Sequence, residues 1–333
     1  ELAGRVQRGV AAGAGDLPRP APFAYRVKDL RTHLYPASGG FGRTFALTQN
    51  LDRALITICL PLVDIYVGRQ AIAFGSARVV NPTDVVAPFT YEALDKEERV
   101  GVDAIRLRFP VGMMGELDVG AISGRNFWLK HGAGFVRSRF YVQETDVLLM
   151  AMVFQEHLLL GVDLARSLVD AGSWLEAAWT RTSGGRSFVR LSGGLDYQFA
   201  NGLYGFFEYH LNGAGLSREG DYLRLLLDPA YTEGGVYLLG RHYAAPGLTC
   251  QATLLLTVSL QTLLSLTDGS AFLAPGFEYG LSQDVFVSGG MFYGLGRGPQ
   301  SRKSEIDGSM EIEPRSEFGL YPAIYFVSLR YYL

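Results

Sequence analysis

The sequence feature that most constrains the fold is an unbroken alternation of apolar and polar side chains between Ser187 and Phe199. Successive side chains of a β-strand point to opposite faces, so this pattern predicts a strand with one apolar and one polar face. Ala200 and Asn201 then make a tight turn, Gly202 allows the chain to reverse, and a second alternating run returns to Asn212, which predicts a hairpin. The apolar positions of the first strand are Val189, Leu191, Leu195, Tyr197 and Phe199, and its polar positions are Arg190, Ser192, Asp196 and Gln198.

Such a hairpin fits two classes of all-β protein. In a soluble sandwich the polar face meets water, whereas in a transmembrane barrel the apolar face meets lipid and the polar face lines the interior. Alternating segments recur along the chain and predict about sixteen strands, with short and long connections at opposite ends, which is typical of an outer-membrane barrel. The short connections are 60–61, 111–114, 143–144, 167–170, 200–201, 282–283 and one near 253, and the long ones are 75–98, 213–239 and 296–315.

We therefore predict an all-β fold, a transmembrane antiparallel β-barrel with short periplasmic turns and long extracellular loops. The barrel is expected to occupy residues 23–333, after a flexible periplasmic arm at residues 1–22 that is rich in Gly, Ala and Pro. Its first strands are expected at 23–34, 43–59 and 62–74, and the loop 213–239 is expected to hold a short helix.

Composition agrees with an envelope protein of a Gram-negative cell. No run of about 18 apolar residues occurs, which excludes a transmembrane helix. The 18 tyrosines and 20 phenylalanines suit strands and the aromatic girdles of a barrel. A formal net charge of −3 argues against a nucleic-acid partner. No signal-peptide pattern opens the sequence, and we expect a mature form that is integral to the outer membrane, surrounded by lipid and lipopolysaccharide.

Motifs for catalysis or metal binding are missing from the sequence. No G-x-S-x-G surrounds a serine, no H-E-x-x-H occurs, and Cys59 and Cys250 form no C-x-x-C. Glu208 and His210 are the best acid–base pair, but two polar residues on one strand face are more typical of channel lining. We predict no enzyme activity, no cofactor and no metal site.

The inward set of polar residues is the predicted functional site. A soluble core could not hold so many charges without a large desolvation cost, whereas a water-filled lumen can. The long loop at 75–98 is the predicted constriction loop, with its turn at Asn81, Pro82, Thr83 and Asp84. The predicted lumen-lining residues are Arg106, Arg108, Asp163, Glu176, Arg190, Asp196, Glu208, His210, Glu278 and Arg330.

Several segments resemble outer-membrane porin-like proteins related to alginate exporters. The resemblance rests on Val67-Gly68-Arg69-Gln70 with Phe74-Gly75, on Asn81-Pro82-Thr83-Asp84, on Gly193-Gly194-Leu195-Asp196-Tyr197, on Glu208-Tyr209 and on Asn212-Gly213-Ala214-Gly215. The final Tyr331-Tyr332-Leu333 is similar to the C-terminal insertion signal of such barrels, although that signal usually ends in Phe. The resemblance implies a barrel that lets solutes cross the outer membrane, and it names no solute.

The leading interpretation is a porin-like channel for passive diffusion of small polar solutes. One alternative is a structural barrel that acts as a sheath or scaffold for a partner protein in an envelope complex. Another is a dedicated polysaccharide or small-molecule exporter, for which a lumen of one charge sign would be expected. A homo-oligomer is also compatible with the sequence.

Overall fold

The computed structural model describes residues 2–6, 25–28, 30, 32–35, 45–87, 100–219, 222–303 and 310–331. The predicted all-β class is confirmed for these residues. The strands are β1 (Leu2–Val6), β2 (Thr32–Tyr35), β3 (Phe45–Gln49), β4 (Ala54–Cys59), β5 (Asp64–Gln70), β6 (Val102–Val111), β7 (Gly115–Ile122), β8 (Ala133–Val142), β9 (Thr145–Phe154), β10 (His157–Leu168), β11 (Ala171–Arg181), β12 (Ser187–Gln198), β13 (Leu203–Asn212), β14 (His242–Gln251), β15 (Leu256–Ser265), β16 (Ala271–Gly280), β17 (Val285–Leu295), β18 (Gln300–Lys303), β19 (Met310–Glu313) and β20 (Ile324–Tyr331).

Fifteen of these strands form one sheet, which we call the wall. Its order is β4 to β17 in sequence, followed by β20, and neighbouring strands are antiparallel. The sheet is built like a barrel wall, but hydrogen bonds between described residues do not join its two edges, β4 and β20. The remaining strands form a small sheet of order β1-β3-β2 and the hairpin β18-β19.

The predicted alternation of faces is confirmed by the register. Arg190 lies opposite Asn212, and Leu191 lies opposite Leu211, so polar and apolar positions keep to separate faces from strand to strand. On one face, Val189 and Leu195 are 44% and 54% exposed, while on the other Arg190 is 2% exposed. The first face is the outer face of the wall, and the second is its inner face, against which loops pack.

Several boundaries differ from the sequence expectation. The wall has fifteen strands rather than about sixteen. The predicted strand at 43–59 is divided into β3 and β4, because at 50–53 the chain leaves the sheet and Asp52 accepts hydrogen bonds from Arg26 and the Gly101 amide. The predicted strand at 23–34 is reduced to β2, since residues 25–28 are irregular.

Residues 2–6 of the predicted arm form β1, and residues 7–24 lie outside the described residues. The predicted strand at 62–74 ends early, at Gln70. The expected helix is present as two short ones, α1 (Tyr222–Leu225) and α2 (Pro229–Thr232).

The connections only partly follow the predicted segregation. Short turns at 60–63, 112–114, 143–144, 169–170, 199–202, 252–255 and 281–284 share one end of the wall, which we call the turn end. The opposite end, the loop end, carries the long connections 71–101, 213–241 and 296–323. It also carries the two-residue turn Gln155–Glu156, so not every connection there is long.

The inner face is filled at the loop end by three apolar clusters. The first surrounds Phe74 and Phe135, the second surrounds Phe272 and Phe318, and the third is formed mainly by the 213–241 connection around Tyr222. The interior is therefore packed rather than empty at this end.

No helix within the described part of the chain is long and apolar enough to cross a membrane.

The adjacent glycines Gly193 and Gly194 give a matched test of the two faces. A Cβ at Gly194 would lie 2.4 Å from the Trp174 ring and 2.5 Å from the Phe207 carbonyl oxygen, whereas a Cβ at Gly193 would come no closer than 3.3 Å to a Leu175 methyl group. We expect Gly194→Ala to lower the free energy of unfolding by about 1–3 kcal/mol, the usual cost of overpacking. Gly193→Ala should cost clearly less in the same urea titration, and equal costs would contradict the assignment of faces.

Candidate functional site

The centre of the inner face is occupied by residues 71–87, which we call the inner segment. The segment begins where β5 ends, and Gly75 allows it to turn inward with a φ of 85°. A Cβ at Gly75 would lie 2.2 Å from a Glu176 carboxylate oxygen, so the absence of a side chain permits this close approach. Ile72 and Phe74 anchor the start of the segment in an apolar cluster, where the rings of Phe74 and Phe135 are 5.0 Å apart.

Glu176, on β11, accepts two hydrogen bonds from backbone amides and two from side chains of the inner segment. One carboxylate oxygen accepts hydrogen bonds from the Thr83 amide at 2.8 Å and from the Thr83 hydroxyl at 2.6 Å. The other accepts from the Ala77 amide and from Asn81 Nδ2, both at 3.2 Å. Glu176 is completely buried, and these donors replace the water that a buried carboxylate loses.

Glu208, on β13, likewise accepts hydrogen bonds from the inner segment, at the amides of residues 78–80. It accepts from the amides of Arg78 at 2.7 Å and Val80 at 2.9 Å, and from the Trp174 indole N–H at 3.0 Å. The Val79 amide adds a weaker contact at 3.3 Å. Two carboxylates of the wall therefore bind the consecutive amides of residues 77–80.

The carbonyl groups of the inner segment are bound by donors on β12. Arg190 Nη2 donates to the Pro82 carbonyl at 2.6 Å, and the Ser192 hydroxyl donates to the Val80 carbonyl. His210 Nδ1 lies 2.8 Å from the Ser192 oxygen. His210 thus contacts Ser192, whereas Glu208 binds the segment.

Side chains of the inner segment complete the attachment. Ser76 donates to Asp163 on β10. Arg78 pairs with Asp196 at 2.8 Å, and the Asp196 carboxylate also accepts from the Tyr204 hydroxyl at 2.8 Å. The Arg78 guanidinium lies 5.3 Å from the centre of the Trp174 ring and is half exposed, so it faces the open part of the interior toward the turn end.

The other predicted lumen residues form ion pairs within the wall. Arg106 binds Asp118 through its Nε and Nη2 groups, and Arg108 binds Glu116. Arg330 on β20 binds Glu278 on β16. These pairs neutralise one another, so the described inner face carries no large patch of one sign.

All ten predicted residues therefore lie on the inner face of the wall, but their environment differs from the expectation. Glu176, Glu208, Arg190 and His210 were expected to line water, and each is at most 2% exposed. The inner segment covers them, which means that they bind protein rather than solute in this structure. Asn81, Pro82, Thr83 and Asp84 lie within the inner segment, while residues 88–98 of the predicted constriction loop lie outside the described residues.

The 213–241 connection packs over the inner segment at the loop end. Gly235 packs against Val85, and the Gly235 carbonyl also lies 3.4 Å from Arg190 Nη1. Asn212 Nδ2 donates to the Leu238 carbonyl at 2.6 Å and so fixes the end of the connection. The connection and the inner segment form one packed body above the ion pairs.

Glu317 fastens that body to the last long connection. Its carboxylate accepts from the Leu239 amide at 2.9 Å, from the Gly240 amide at 3.2 Å and from the Tyr243 hydroxyl. Burial raises the pKa of Glu317 to about 7, because the charged form loses its hydration, although these donors partly oppose the shift.

Sequence reasoning missed several of these residues. Trp174 and Asp118 lie on the inner face of their strands, and extending the alternation rule to them would have found both. Glu317 lies outside any alternating run and meets Leu239 across 78 positions, so no local signal marks it.

Comparison with known proteins does not identify the chain. No family model matches the sequence, and no curated protein matches it significantly. Within the described residues, no group of three or more His, Cys, Asp or Glu side chains is arranged to hold a metal ion. The geometry of this site is suited to holding the inner segment in place.

We predict that Glu176→Ala releases the middle of the inner segment. Each amide left without an acceptor costs about 1–3 kcal/mol, and 1.4 kcal/mol corresponds to a tenfold change in an equilibrium constant. Hydrogen exchange at the Ala77 and Thr83 amides should therefore accelerate at least about tenfold. Glu278→Ala is the matched control, because Glu278 is on the inner face but binds Arg330. Unchanged exchange in Glu176→Ala would show that the carboxylate does not hold the segment.

Glu317 should make stability depend on pH in a defined direction. Its pKa is raised in the folded protein from an ordinary 4.5 to about 7, so folding favours its protonated form. Its contribution is full below pH 4.5 and is lost as the pH rises toward 7. We expect the free energy of unfolding to fall over this window, and Glu317→Gln to remove that part of the slope in denaturant titrations. A slope that survives the substitution would assign the effect to another group.

Proposed function

We propose that this protein is an outer-membrane channel for passive diffusion of small polar solutes, and that the inner segment closes it in the conformation described above. The observation that carries the proposal is the inversion of polarity across the wall. Apolar side chains such as Leu160, Val189 and Leu195 are exposed on the outer face, while charged and polar ones occupy the inner face. Such a wall suits lipid outside and water or polar groups inside.

The inner segment is the proposed constriction. It is held by apolar contacts, such as those of Phe74, and by hydrogen bonds and the ion pair of Arg78 with Asp196, which water can replace when the segment moves. The segment lies on the inner face of β10 to β13, through Asp163, Glu176, Ser192 and Glu208. Toward the turn end, Thr249, Ser259 and Gly276 lie side by side on the inner face of β14 to β16, whereas toward the loop end Val80 of the segment belongs to the apolar cluster of Phe272. A solute would pass on this side only after the segment has left that cluster, which is the movement that opens the proposed channel.

The scaffold interpretation is the second candidate, and the packed interior favours it. Apolar clusters at the loop end bury Phe272, Phe292 and Phe318 together, which is more than a freely open pore requires. A scaffold would keep this packing permanently, whereas a channel must open it or move the segment beside it.

A reversible disulfide separates the two candidates. A Cβ at Gly161 would lie 3.6 Å from the Cβ of Thr83, which is within the usual range of about 3.5–4.5 Å for a disulfide. We expect the pair Thr83→Cys and Gly161→Cys, with Cys59 and Cys250 replaced by Ser, to lock the inner segment to β10. Single-channel conductance in planar bilayers should then be abolished or reduced under oxidation and restored by a reductant.

Thr83→Cys alone is the matched control and should be insensitive to the reductant. A locked protein that conducts like the reduced one would remove the inner segment as the constriction. A protein that shows no conductance in either state, and that purifies only with a bound partner, would favour the scaffold.

A further inference from the structure

Two aromatic rings on the inner face of β13 lie apart from the packed interior of the loop end. The ring centres of Tyr204 and Phe206 are 6.4 Å apart, and both side chains are only partly buried. They lie toward the turn end, because β13 begins there at Leu203. Neither ring belongs to the three apolar clusters of the described residues, so packing within those clusters does not account for them.

The Phe206 ring lies against the backbone of the neighbouring strand. Phe206 is directly opposite Gly247 on β14, and a Cβ at Gly247 would lie 2.1 Å from Cε1 and 2.3 Å from Cζ of that ring. The ring therefore occupies the space that a side chain at this position of β14 would fill. One face of the ring is against the wall, and the opposite face is directed to the interior.

A charged pair borders this aromatic surface. Asp196 on β12 is directly opposite Phe206, and its carboxylate accepts from Arg78 and from the Tyr204 hydroxyl, both at 2.8 Å. Arg78 donates through Nη2, its side chain is 52% exposed, and its other guanidinium N–H groups bind no acceptor among the described residues. The pair carries no net charge, and it presents donors next to an acceptor.

This combination matches the chemistry of a neutral sugar ring. A pyranose has a face of C–H groups, which carry a small positive charge and pack against the negative face of an aromatic ring. Its hydroxyl groups both donate and accept, so they can accept from Arg78 and donate to Asp196 without separating the ion pair. A carboxylate on the solute would instead be repelled by Asp196. The site therefore suits a neutral sugar better than an acidic one.

We propose that Phe206, Tyr204 and the pair of Arg78 with Asp196 bind one pyranose ring of a neutral sugar, which reaches them from the turn end. The inference rests on the proposed channel function, because it names the class of polar solute that the channel accepts. The site is open while the inner segment is in place, since the Arg78 side chain already faces the open part of the interior. Binding to it therefore does not require the segment to move.

Trp174 reports on this site, because the Arg78 guanidinium lies 5.3 Å from the centre of its ring. The chain has three tryptophans, so Trp128→Phe with Trp179→Phe gives a parent protein in which Trp174 is the only one. This parent, purified in detergent, is titrated with D-glucose while its fluorescence is recorded. We expect a saturable change. D-sorbitol, which has hydroxyl groups but no ring, should bind more weakly, and D-glucuronate should bind no more tightly than D-glucose.

Substitutions in the same parent test the aromatic face. Phe206→Leu should weaken glucose binding by about threefold to tenfold, whereas Phe206→Tyr keeps the ring and should bind like the parent. Phe286→Leu is the matched control, because Phe286 is an inner-face aromatic residue of β17 that lies opposite Arg330. An unchanged emission spectrum of Trp174 without sugar shows that a variant keeps the fold around the site.

Gly247→Ala is a second variant, and it leaves Phe206 in the sequence. Its methyl group would occupy the position of the ring and turn it away from the wall. Glucose binding should weaken in this variant as well, which tests the orientation of the ring rather than its presence.

Three results would overturn the proposal. Equal binding of D-glucose and D-sorbitol would show that no ring stacks, and binding that is unchanged in both Phe206→Leu and Gly247→Ala would place the sugar elsewhere. Tighter binding of D-glucuronate than of D-glucose would contradict a neutral solute. Because binding in detergent needs no conductance, the two proposals fail separately. Glucose binding without conductance in planar bilayers would support the site and contradict the channel, whereas conductance without glucose binding would do the reverse.

Discussion

The interior of this protein depends on carboxylates that bind backbone amides. Glu176 and Glu208 are buried on the inner face of the wall, and an unsatisfied carboxylate there would be strongly unfavourable. The amides of the inner segment supply the missing hydrogen bonds, so the wall and the segment each satisfy polar groups that the other leaves buried. Removing the carboxylate or the amide would leave its partner buried without a hydrogen bond, which is unfavourable. This reciprocity explains why an irregular stretch of chain can lie inside the sheet.

The arginines of the interior have a different role. Arg106 and Arg108 are bound by acidic residues of the neighbouring strand β7, and Arg330 is bound by Glu278 across the one intervening strand, β17. Arg190 instead donates to carbonyl oxygens of the inner segment. The arginines of the wall thus fall into two groups: those whose ion pairs hold the strands together, and Arg190, which binds the segment. Of these arginines, only Arg190 would have to rearrange for the segment to move.

The sequence predicted the wall well and its contents poorly, for a physical reason. Alternation has a period of two residues and is a local property, so the faces of Val189 and Arg190 could be assigned without any tertiary information. Gly75 and Pro82 indicated an irregular stretch, but the direction of that stretch is set by contacts with Glu176 and Glu208 more than ninety positions away. The same limit applies to the break at 50–53, where Asp52 is bound by Arg26 and Gly101. The fold class could therefore be predicted from the sequence pattern, whereas the burial of the charged residues depends on the three-dimensional arrangement of distant segments.

Recognition of the inner segment through its main chain leaves much of its side-chain chemistry free. Ala77, Arg78 and Val79 are bound through their amides, and every residue type except proline supplies the same donor. The Arg78 side chain is half exposed toward the interior, although its amide is fixed by Glu208. Substitutions at this position can therefore alter the charge or size that the segment presents to the interior, with loss of the ion pair to Asp196, while the amide stays bound to Glu208. Attachment through the main chain thus separates the position of the segment from the chemistry of this side chain, a separation that side-chain recognition would not allow.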